Sequence, residues 1–575
     1  MDRRTLLALA LTALVIVLTP IVFRMGGRRA ATPAAVATDT GTRASQLPAT
    51  ATAAPAPAPA ATVPVPAPTG APVPPTARSR AETTTVTFDS AQYTFSTLGG
   101  APEAVRLTAF SSLRPDVPRK TSAMLTANPG GAAAGVSPLL RYRLVLGADT
   151  ISLDTIPFRV ERGADGVTFT STSTPAVTLR YEFAPKGYIA HVSGQMAPAG
   201  AAGGTGQLLI ALPTTLRSQD ADTLDDERHL AYGYKLEHAD VKTVAFGKLD
   251  PALVRTDSGP MTWVAARNKY FLIALVAPQP ASSFTALRMQ GGARVGKTAP
   301  TARATAIAPI RDGRFAFDLY AGPQSWTDLR AVGHDLENVN PYGGWIPGVQ
   351  PFATICMRVL LWMKKTFNLS YGWVLIIFGV AVRLLLWPLN QTAMRSSLKM
   401  QRLQPELAEV QKRYKNEPEK QREALVKLYQ QHGMSPFSPV MGCLPMLLPM
   451  PVLFALFYVF QNTIEFRGVP FLWLPDLSLR DPYYIMPIVM GVSMFVLSWI
   501  GMRAAPPNPQ TKMMSYMMPA VMTMVLLNFA SGLNLYYAVQ NVAALPQQLL
   551  LTRERMKAAP AAAPAPPLRG RRATT

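Results

Sequence analysis

The sequence predicts a polytopic α-helical membrane protein that also carries an all-β sandwich domain and a helical hairpin between two of its spans. Two observations lead to this fold class. Apolar runs near the N-terminus and after residue 370 are long enough for helices to cross a bilayer. The region between them alternates apolar and polar residues and is punctuated by Gly and Pro, which is typical of antiparallel strands.

The composition agrees with two alternating kinds of region. Hydrophobic residues make up 49% of the 575 residues and charged residues 16%, which suits neither an ordinary soluble protein nor a bare transporter core. Much of the net charge of +22 lies beside the apolar runs, where lipid headgroups explain it better than DNA does. Cys356 and Cys443 both lie in or beside membrane segments, so we expect no disulfide framework and no metal site.

The first eighty residues predict a membrane anchor and a spacer. Residues 5–23 form an apolar run with arginines on both sides. Its length favours an uncleaved anchor, assigned to residues 1–29, over a cleaved signal peptide, although residues 35–37 have the small-x-small form of a cleavage site. Residues 30–80 are rich in Ala, Pro and Thr, a composition that cannot bury a core, and we expect a linker there.

Residues 81–345 predict the β-sandwich domain. Alternating runs such as Phe315, Phe317 and Leu319 recur through this region. Residues 291–298 match the phosphate-loop pattern, but Pro300 follows too soon for the helix that such a loop requires. A glycine-rich turn is the better interpretation. Since the five histidines show no zinc spacing and no nucleophile elbow is present, we expect no cofactor and no enzyme.

The last part of the chain predicts an interfacial amphipathic helix at 346–370, a five-helix core at 371–552 and a basic tail at 553–575. One face of the interfacial helix carries Phe352, Ile355, Val359, Leu360, Met363 and Phe367. The five spans are placed at about 371–389, 443–463, 483–500, 513–531 and 533–552.

Loop charge predicts the orientation. The segment 391–440 carries nine Lys or Arg and the tail carries six, whereas the loop 464–482 has only two against three acidic residues. The positive-inside rule therefore places the segment 391–440 and both termini in the cytoplasm and the sandwich outside. The charges around the first span favour the opposite orientation, so this placement rests on the later loops.

The segment 391–440 predicts a two-helix hairpin. Leu403, Leu407, Val410 and Tyr414 have the spacing of a helical seam. Residues 416–418 interrupt this helix, and a second helix is expected to resume around Ala424. The charged residues of this hairpin form either a solvated face or a docking surface for a partner.

Arg383 is the most informative candidate site residue. It is the only ionisable side chain in the apolar stretch Tyr371–Leu389, and no Asp or Glu occurs in another predicted span. A charge at the centre of a spanning helix costs about 2.5–3.5 kcal/mol on insertion scales. Arg383 therefore lies either in a polar cavity or close enough to the headgroups for its guanidinium to reach them.

Polar residues in the last span make a cavity the more specific hypothesis. Tyr537, Gln540 and Asn541 have the i, i+3, i+4 spacing of one helical face and could line a groove together with Arg383. Ordinary interhelical hydrogen bonding remains an alternative for each of them. Three prolines within residues 445–451 predict an irregular third span, which also favours an internal cavity.

At this point the residues resemble a known family, the YidC membrane-protein insertases of bacteria. The matching stretches are Val382-Arg383, Pro388-Leu389, Lys399-Met400-Gln401-Arg402-Leu403-Gln404-Pro405, Gly442-Cys443-Leu444-Pro445, Met450-Pro451, Asp481-Pro482-Tyr483-Tyr484-Ile485 and Ser531-Gly532-Leu533-Asn534-Leu535-Tyr536-Tyr537. The sandwich resembles the Gram-negative form of the family more loosely.

The resemblance implies a protein that inserts and helps to fold nascent inner-membrane proteins, alone or with the Sec translocon. It implies a hydrophilic groove open to the cytoplasm, with Arg383, Met450, Tyr536 and Tyr537 at the family's groove positions. It also implies a periplasmic sandwich, and a ribosome and targeting receptor as partners of the hairpin and tail. Two departures, Gly379 and Pro449, stand where relatives often have polar residues.

Two other classes stay open. A small-solute transporter would use Arg383 to bind an anion, but inverted repeats and paired broken helices are expected there and are not evident. A structural receptor would use the sandwich alone, and Arg383 would then have no functional role.

Overall fold

The computed structural model describes residues 82–118, 120–127, 138–196, 206–296, 298–340, 349–388, 390–391, 403, 406–407, 409–414, 417–432, 450–503 and 509–558. The predicted anchor and linker, most of the basic tail and residues 443–449 of the third span lie outside these described residues. The hairpin segment 391–440 is described in part.

The β domain is built from antiparallel strands. Its strands are β1 (Thr83–Thr87), β2 (Ala91–Ser96), β3 (Pro102–Ser111), β4 (Ser122–Thr126), β5 (Arg141–Leu146), β6 (Asp149–Ser152), β7 (Phe158–Arg162), β8 (Gly166–Ser171), β9 (Val177–Phe183), β10 (Ile189–Met196), β11 (Gly206–Ala211), β12 (Ala231–Leu236), β13 (Lys242–Ala245), β14 (Arg255–Arg267), β15 (Phe271–Val276), β16 (Phe284–Gly291), β17 (Ala302–Ile310) and β18 (Arg314–Pro323). They confirm the strands expected from the alternating pattern.

The strands form two sheets. The smaller has the order β1-β2-β3-β4, and the larger has the order β6-β5-β11-β17-β16-β14-β15-β18-β10-β9-β8-β7, with β12 and β13 joined to β14. The first half of β14 pairs with β16 and the second half with β15 and β12. This change of partner follows an irregularity between Ser258 and Met261, the kind of feature that lets one strand serve both layers of a sandwich.

Aromatic side chains fill the sandwich core. Tyr181 is fully buried, and its hydroxyl donates to the carbonyl of Gly100 at 2.9 Å and contacts the Tyr142 hydroxyl at 3.0 Å. Phe95 packs on Tyr181 with ring centroids 4.8 Å apart. Because these rings come from strands far apart in sequence, they hold the two sheets together.

The phosphate-loop-like segment is a turn, as predicted. β16 ends at Gly291, Val295 and Thr298 form an isolated bridge, and Gly296 has a φ of 64°, which favours glycine. The described residues of this segment do not begin a helix.

Helices occupy the described parts of the regions where spans were predicted. They are α1 (Thr223–Arg228) and α2 (Trp326–Val332) in the β domain, followed by α3 (Val349–Phe367), α4 (Tyr371–Leu385), α5 (Pro418–Gln431), α6 (Met450–Asn462), α7 (Ile485–Met502), α8 (Pro509–Leu526) and α9 (Ser531–Ala558). Within the described ranges, α7 alone is long and apolar enough to cross a membrane by itself. The pair α3 and α4 passes the same test together, and α6 and α8 contain shorter apolar helices.

Helix α3 lies across the direction of α4, since the chain bends by 119° between them. Its predicted apolar face is divided in two. Leu360 and Met363 pack in the helical core, whereas Ile355, Val359 and Phe367 are exposed. The exposed side fits the lipid contact expected of an interfacial helix.

Helix α9 is central to the packing of the helical region. It packs against both α4 and α7, while α3 packs against α6 and α7 against α8. Gly491 allows the last of these contacts, because a Cβ atom there would lie 2.0 Å from the Thr523 hydroxyl.

The described part of the segment 391–440 contains helix α5, which begins at Pro418 and so starts earlier than the predicted position around Ala424. His432 and Glu406, 26 residues apart, approach within 3.3 Å. Leu403 and Tyr429, from the two predicted seams, are both buried. These contacts agree with two helical arms that pack on each other.

The loop 464–482 is attached to the β domain by a buried ion pair. The Arg467 Nε donates to Asp220 at 2.6 Å, and its two Nη atoms donate to the carbonyls of Ser111 and Gln219. Both charged side chains are almost fully buried. Burial raises the pKa of Asp220 against the opposing influence of Arg467. This pair therefore has a large desolvation cost, which the partner charge and the hydrogen bonds to the two carbonyls offset.

Replacing Arg467 with Met should lower the free energy of unfolding of the β domain by about 3 kcal/mol or more, because Asp220 is left buried and unpaired. The double variant Asp220→Leu with Arg467→Met should recover most of that loss. Urea titration followed by near-ultraviolet circular dichroism measures both effects. Arg180→Met, which breaks an exposed pair with Glu182, is the control and should cost at most about 1 kcal/mol. Equal losses in the two single variants would contradict the assignment.

Glu465 is a second charged group of this loop that meets the β domain. Its Oε2 is enclosed without a hydrogen-bond partner among the described residues. Burial raises the pKa of its carboxyl to about 7, and the nearby Asp328 carboxylate acts in the same direction. The protonated form is therefore the one that the folded protein favours.

Stability should depend on pH through this group. Because the pKa of Glu465 is higher in the folded than in the unfolded state, its stabilising contribution is present below about pH 4.5 and is lost as pH rises to about 7. Glu465→Gln should flatten the fall in unfolding free energy between pH 5 and pH 8, measured by urea titration at each pH. Glu161→Gln changes an exposed carboxylate and should leave the curve parallel to wild type. A parallel curve for Glu465→Gln would contradict the prediction.

Candidate functional site

Helix α4 carries Arg383 in its last turn. Arg383 lies twelve residues after Tyr371, which corresponds to about 18 Å along the helix axis. Its side chain is half-buried, and its Nη2 donates to the Gln547 Oε1 on α9 at 2.8 Å. No ion pair of Arg383 occurs among the described residues. The charge is therefore held by a neutral amide.

Gln547 was not predicted as a site residue. It is almost fully buried, and its Nε2 donates weakly to the carbonyl of Trp387, at 3.4 Å. The sequence did contain a signal for its place in the site. Gln547 follows Gln540 by seven residues, which is two turns along the same helical face.

A second polar contact joins α9 to α4. The Gln540 Nε2 donates to the carbonyl of Gly379 at 2.8 Å and to the Tyr536 hydroxyl at 3.1 Å. A Cβ atom on Gly379 would lie 3.0 Å from the Val539 side chain, so the glycine permits this close approach. At this position α4 offers Gln540 a backbone carbonyl as its polar group.

The remaining predicted residues are placed differently. Tyr537 is half-buried and lies beside Tyr536, with ring centroids 6.1 Å apart. Asn541 donates to the Ser493 hydroxyl on α7 at 3.0 Å, on the other side of α9 from Arg383. Met450 is the first residue of α6, and Pro449 lies outside the described residues. The structure therefore brings Arg383, Gln540 and Tyr536 onto one seam and places Asn541 on another.

Aromatic side chains close the end of the helical region that faces the β domain. Phe466 packs on Tyr371 and on Phe460, with ring centroids 4.8 Å apart in both cases. Phe471 lies directly against Gly372, where a Cβ atom would approach its ring to 2.0 Å. The polar seam between α4 and α9 is thus separated from the β domain by packed rings.

Two family models match the chain. One is described as 60Kd inner membrane protein and matches residues 362–559. The other is described as YidC periplasmic domain and matches residues 83–355. The β sandwich is therefore a periplasmic domain, and the helices after it belong to a membrane protein.

Curated relatives agree with these matches. The membrane protein insertase YidC of Anaeromyxobacter sp. (strain Fw109-5) is 35% identical over 309 residues, which cover 53% of this chain and 54% of the relative. The protein of the same name from Chlorobium phaeovibrioides (strain DSM 265 / 1930) is 35% identical over 346 residues, which cover 57% and 58%. The chain thus spans little more than half the length of the curated relatives it matches.

A solved active YidC insertase with its first transmembrane domain resolved is 18% identical and covers 81% of this chain and 92% of its own. Its TM-score of 0.33 is too low to support an argument from structure. The assignment depends instead on the two family models, which divide almost all of the described chain between them, and on the name that the curated relatives share. The chain belongs to the YidC family of inner-membrane proteins.

Proposed function

We propose that this protein inserts nascent membrane proteins into the bilayer through a polar groove lined by Arg383, Tyr536, Tyr537 and Gln540, with Met450 at its margin. The observation that carries the proposal is the state of Arg383: a permanent positive charge in an apolar helix, held by an amide and paired with no carboxylate among the described residues. The curated relatives are named membrane protein insertases, which supports the same function.

The groove lowers the cost of moving a polar flank into the membrane. A single charged residue at the centre of a bilayer costs about 2.5–3.5 kcal/mol on insertion scales. Tyrosine hydroxyls, glutamine amides and the Arg383 charge replace part of the water that an acidic flank loses. The polar flank can therefore stay in the groove, part-way across the membrane, while the rest of the substrate segment moves into the lipid.

The apolar part of the substrate supplies the driving force. Each Leu, Ile, Phe or Val that passes from the groove into lipid gains about 0.3–0.6 kcal/mol on the same scale. No covalent step is required, in agreement with the expectation that the protein is not an enzyme. The aromatic packing around Phe466 supports a groove that is closed towards the periplasm. Its opening towards the cytoplasm is what the family resemblance implies.

The cytoplasmic elements fit the delivery of substrate. We expect the hairpin 391–440 and the basic tail 553–575 to dock the ribosome and a targeting receptor, and the Sec translocon to be a membrane partner. The predicted topology, with six spans and both termini in the cytoplasm, belongs to the same proposal. The nine basic residues of the hairpin segment suit an RNA-rich or acidic partner surface.

Replacing Arg383 with Glu should reduce the insertion of a model substrate with an acidic flank at least about tenfold, because two like charges then meet in the groove. Insertion is measured as protease protection of the substrate in proteoliposomes that contain equal amounts of each variant. Arg503→Glu reverses an exposed charge at the end of α7 and is the matched control, with a much smaller effect expected.

Arg383→Glu also distinguishes insertion from the two alternative functions, solute transport and a structural receptor. A transporter would lose uptake of an anionic solute in Arg383→Glu while insertion stays normal. A structural receptor would keep both activities. Wild-type insertion by Arg383→Glu at normal abundance would therefore refute the proposed groove.

A further inference from the structure

The partner of Arg383 is unusual because it is neutral. A buried arginine is commonly held by a carboxylate, which forms two parallel hydrogen bonds and cancels its charge. Here the Gln547 side chain takes that position, with its Oε1 at 2.8 Å from the Arg383 Nη2. The contact is a hydrogen bond to a charged donor, and the net charge of the pair stays positive.

The amide of Gln547 is held in one orientation. A guanidinium has donors only, so the side chain must present its oxygen to Arg383 and its nitrogen to an acceptor. The carbonyl of Trp387, near the end of the same segment as Arg383, lies 3.4 Å from that nitrogen. With about 2% of Gln547 exposed, little solvent competes for these bonds.

The remaining donors of Arg383 have no hydrogen-bond partner among the residues that the structure describes. Of the five N–H groups of the guanidinium, the described residues accept one, and the Nε is enclosed with no acceptor. An enclosed donor without an acceptor costs free energy, and the cost is larger when the donor belongs to a charged group. A group that brings an anionic oxygen into this seam would satisfy the donors and the charge together.

We propose that Gln547 is a positioning residue that fixes the direction of the Arg383 guanidinium while leaving its positive charge available to an acidic flank of the substrate. The inference rests on the proposed function and assigns a task within the groove to a residue of α9. It names acidic side chains next to a transmembrane segment as the feature that the seam recognises.

Gln547→Glu tests the proposal, because it keeps the size of the side chain and replaces a neutral acceptor by a charged one. The substrates are two model membrane segments that differ only in their flank, which carries Asp in one and Asn in the other. The quantity measured is the ratio of their insertion rates into proteoliposomes. Gln547→Glu should lower the ratio of Asp-flank to Asn-flank insertion several-fold, since the new carboxylate competes for Arg383.

Two further variants separate positioning from packing. Gln547→Leu removes the acceptor without adding charge and should lower the same ratio by a smaller factor. Asn541→Leu removes an amide of α9 that bonds to Ser493 on α7, and should leave the ratio at its wild-type value even if total insertion falls. A purely structural role of Gln547 would lower insertion of both substrates equally.

An unchanged ratio in Gln547→Glu, at wild-type abundance, would overturn the positioning role. If Arg383→Glu still loses insertion in that case, the groove stands and only the role of Gln547 fails. If neither variant changes insertion, the proposed function fails with it.

Discussion

The helical region is organised around one constraint, a positive charge in an apolar helix that no carboxylate of the described residues neutralises. The amide of Gln547 meets this need from α9, and Gln540 adds a second bond to the backbone of α4 at Gly379. Both bonds need α9 to lie close to α4, which the small Gly379 permits. The polar seam and the helix packing therefore depend on each other.

The opposite side of α9 completes this arrangement. Asn541 bonds to Ser493, and the Thr552 hydroxyl donates to the carbonyl of Ile500, so α9 is joined to α7 by polar contacts of its own. Such interhelical bonds are each modest in energy, about 0.6 kcal/mol on average in one membrane protein. Together they place the helix that carries most of the groove residues between two fixed neighbours.

A buried charge is also important on the periplasmic side, where the β domain meets the helical region. Arg467 and Glu465 attach the loop between α6 and α7 to the sandwich, and the aromatic residues next to them close the end of the helical region. We infer that the sandwich supports this closure through the loop. Burial of a charge at Arg467 makes the attachment specific, because a displaced partner would leave Asp220 unpaired.

The secondary-structure elements and part of the candidate site could be predicted from the sequence. Alternation identified the strands, and an ionisable residue in an apolar run identified Arg383. The change of pairing partner along β14 could not be predicted from the sequence, because strand pairing is set by contacts between distant parts of the chain. Asn541 was placed with Gln540, but about 100° separates consecutive residues on a helix, which is enough to turn it towards α7. Gln547 was missed because it lies ten residues beyond Tyr537, where the last matching motif ends.

The most direct test of the groove is a cross-link between this protein and a nascent chain stalled on the ribosome. A photoreactive phenylalanine derivative at Tyr537, which is half-buried beside the seam, reports whether the substrate enters it. The same group at Leu472, exposed in the outer loop, is the control. The account predicts adducts at Tyr537 and few at Leu472, whereas adducts at Leu472 alone would contradict it.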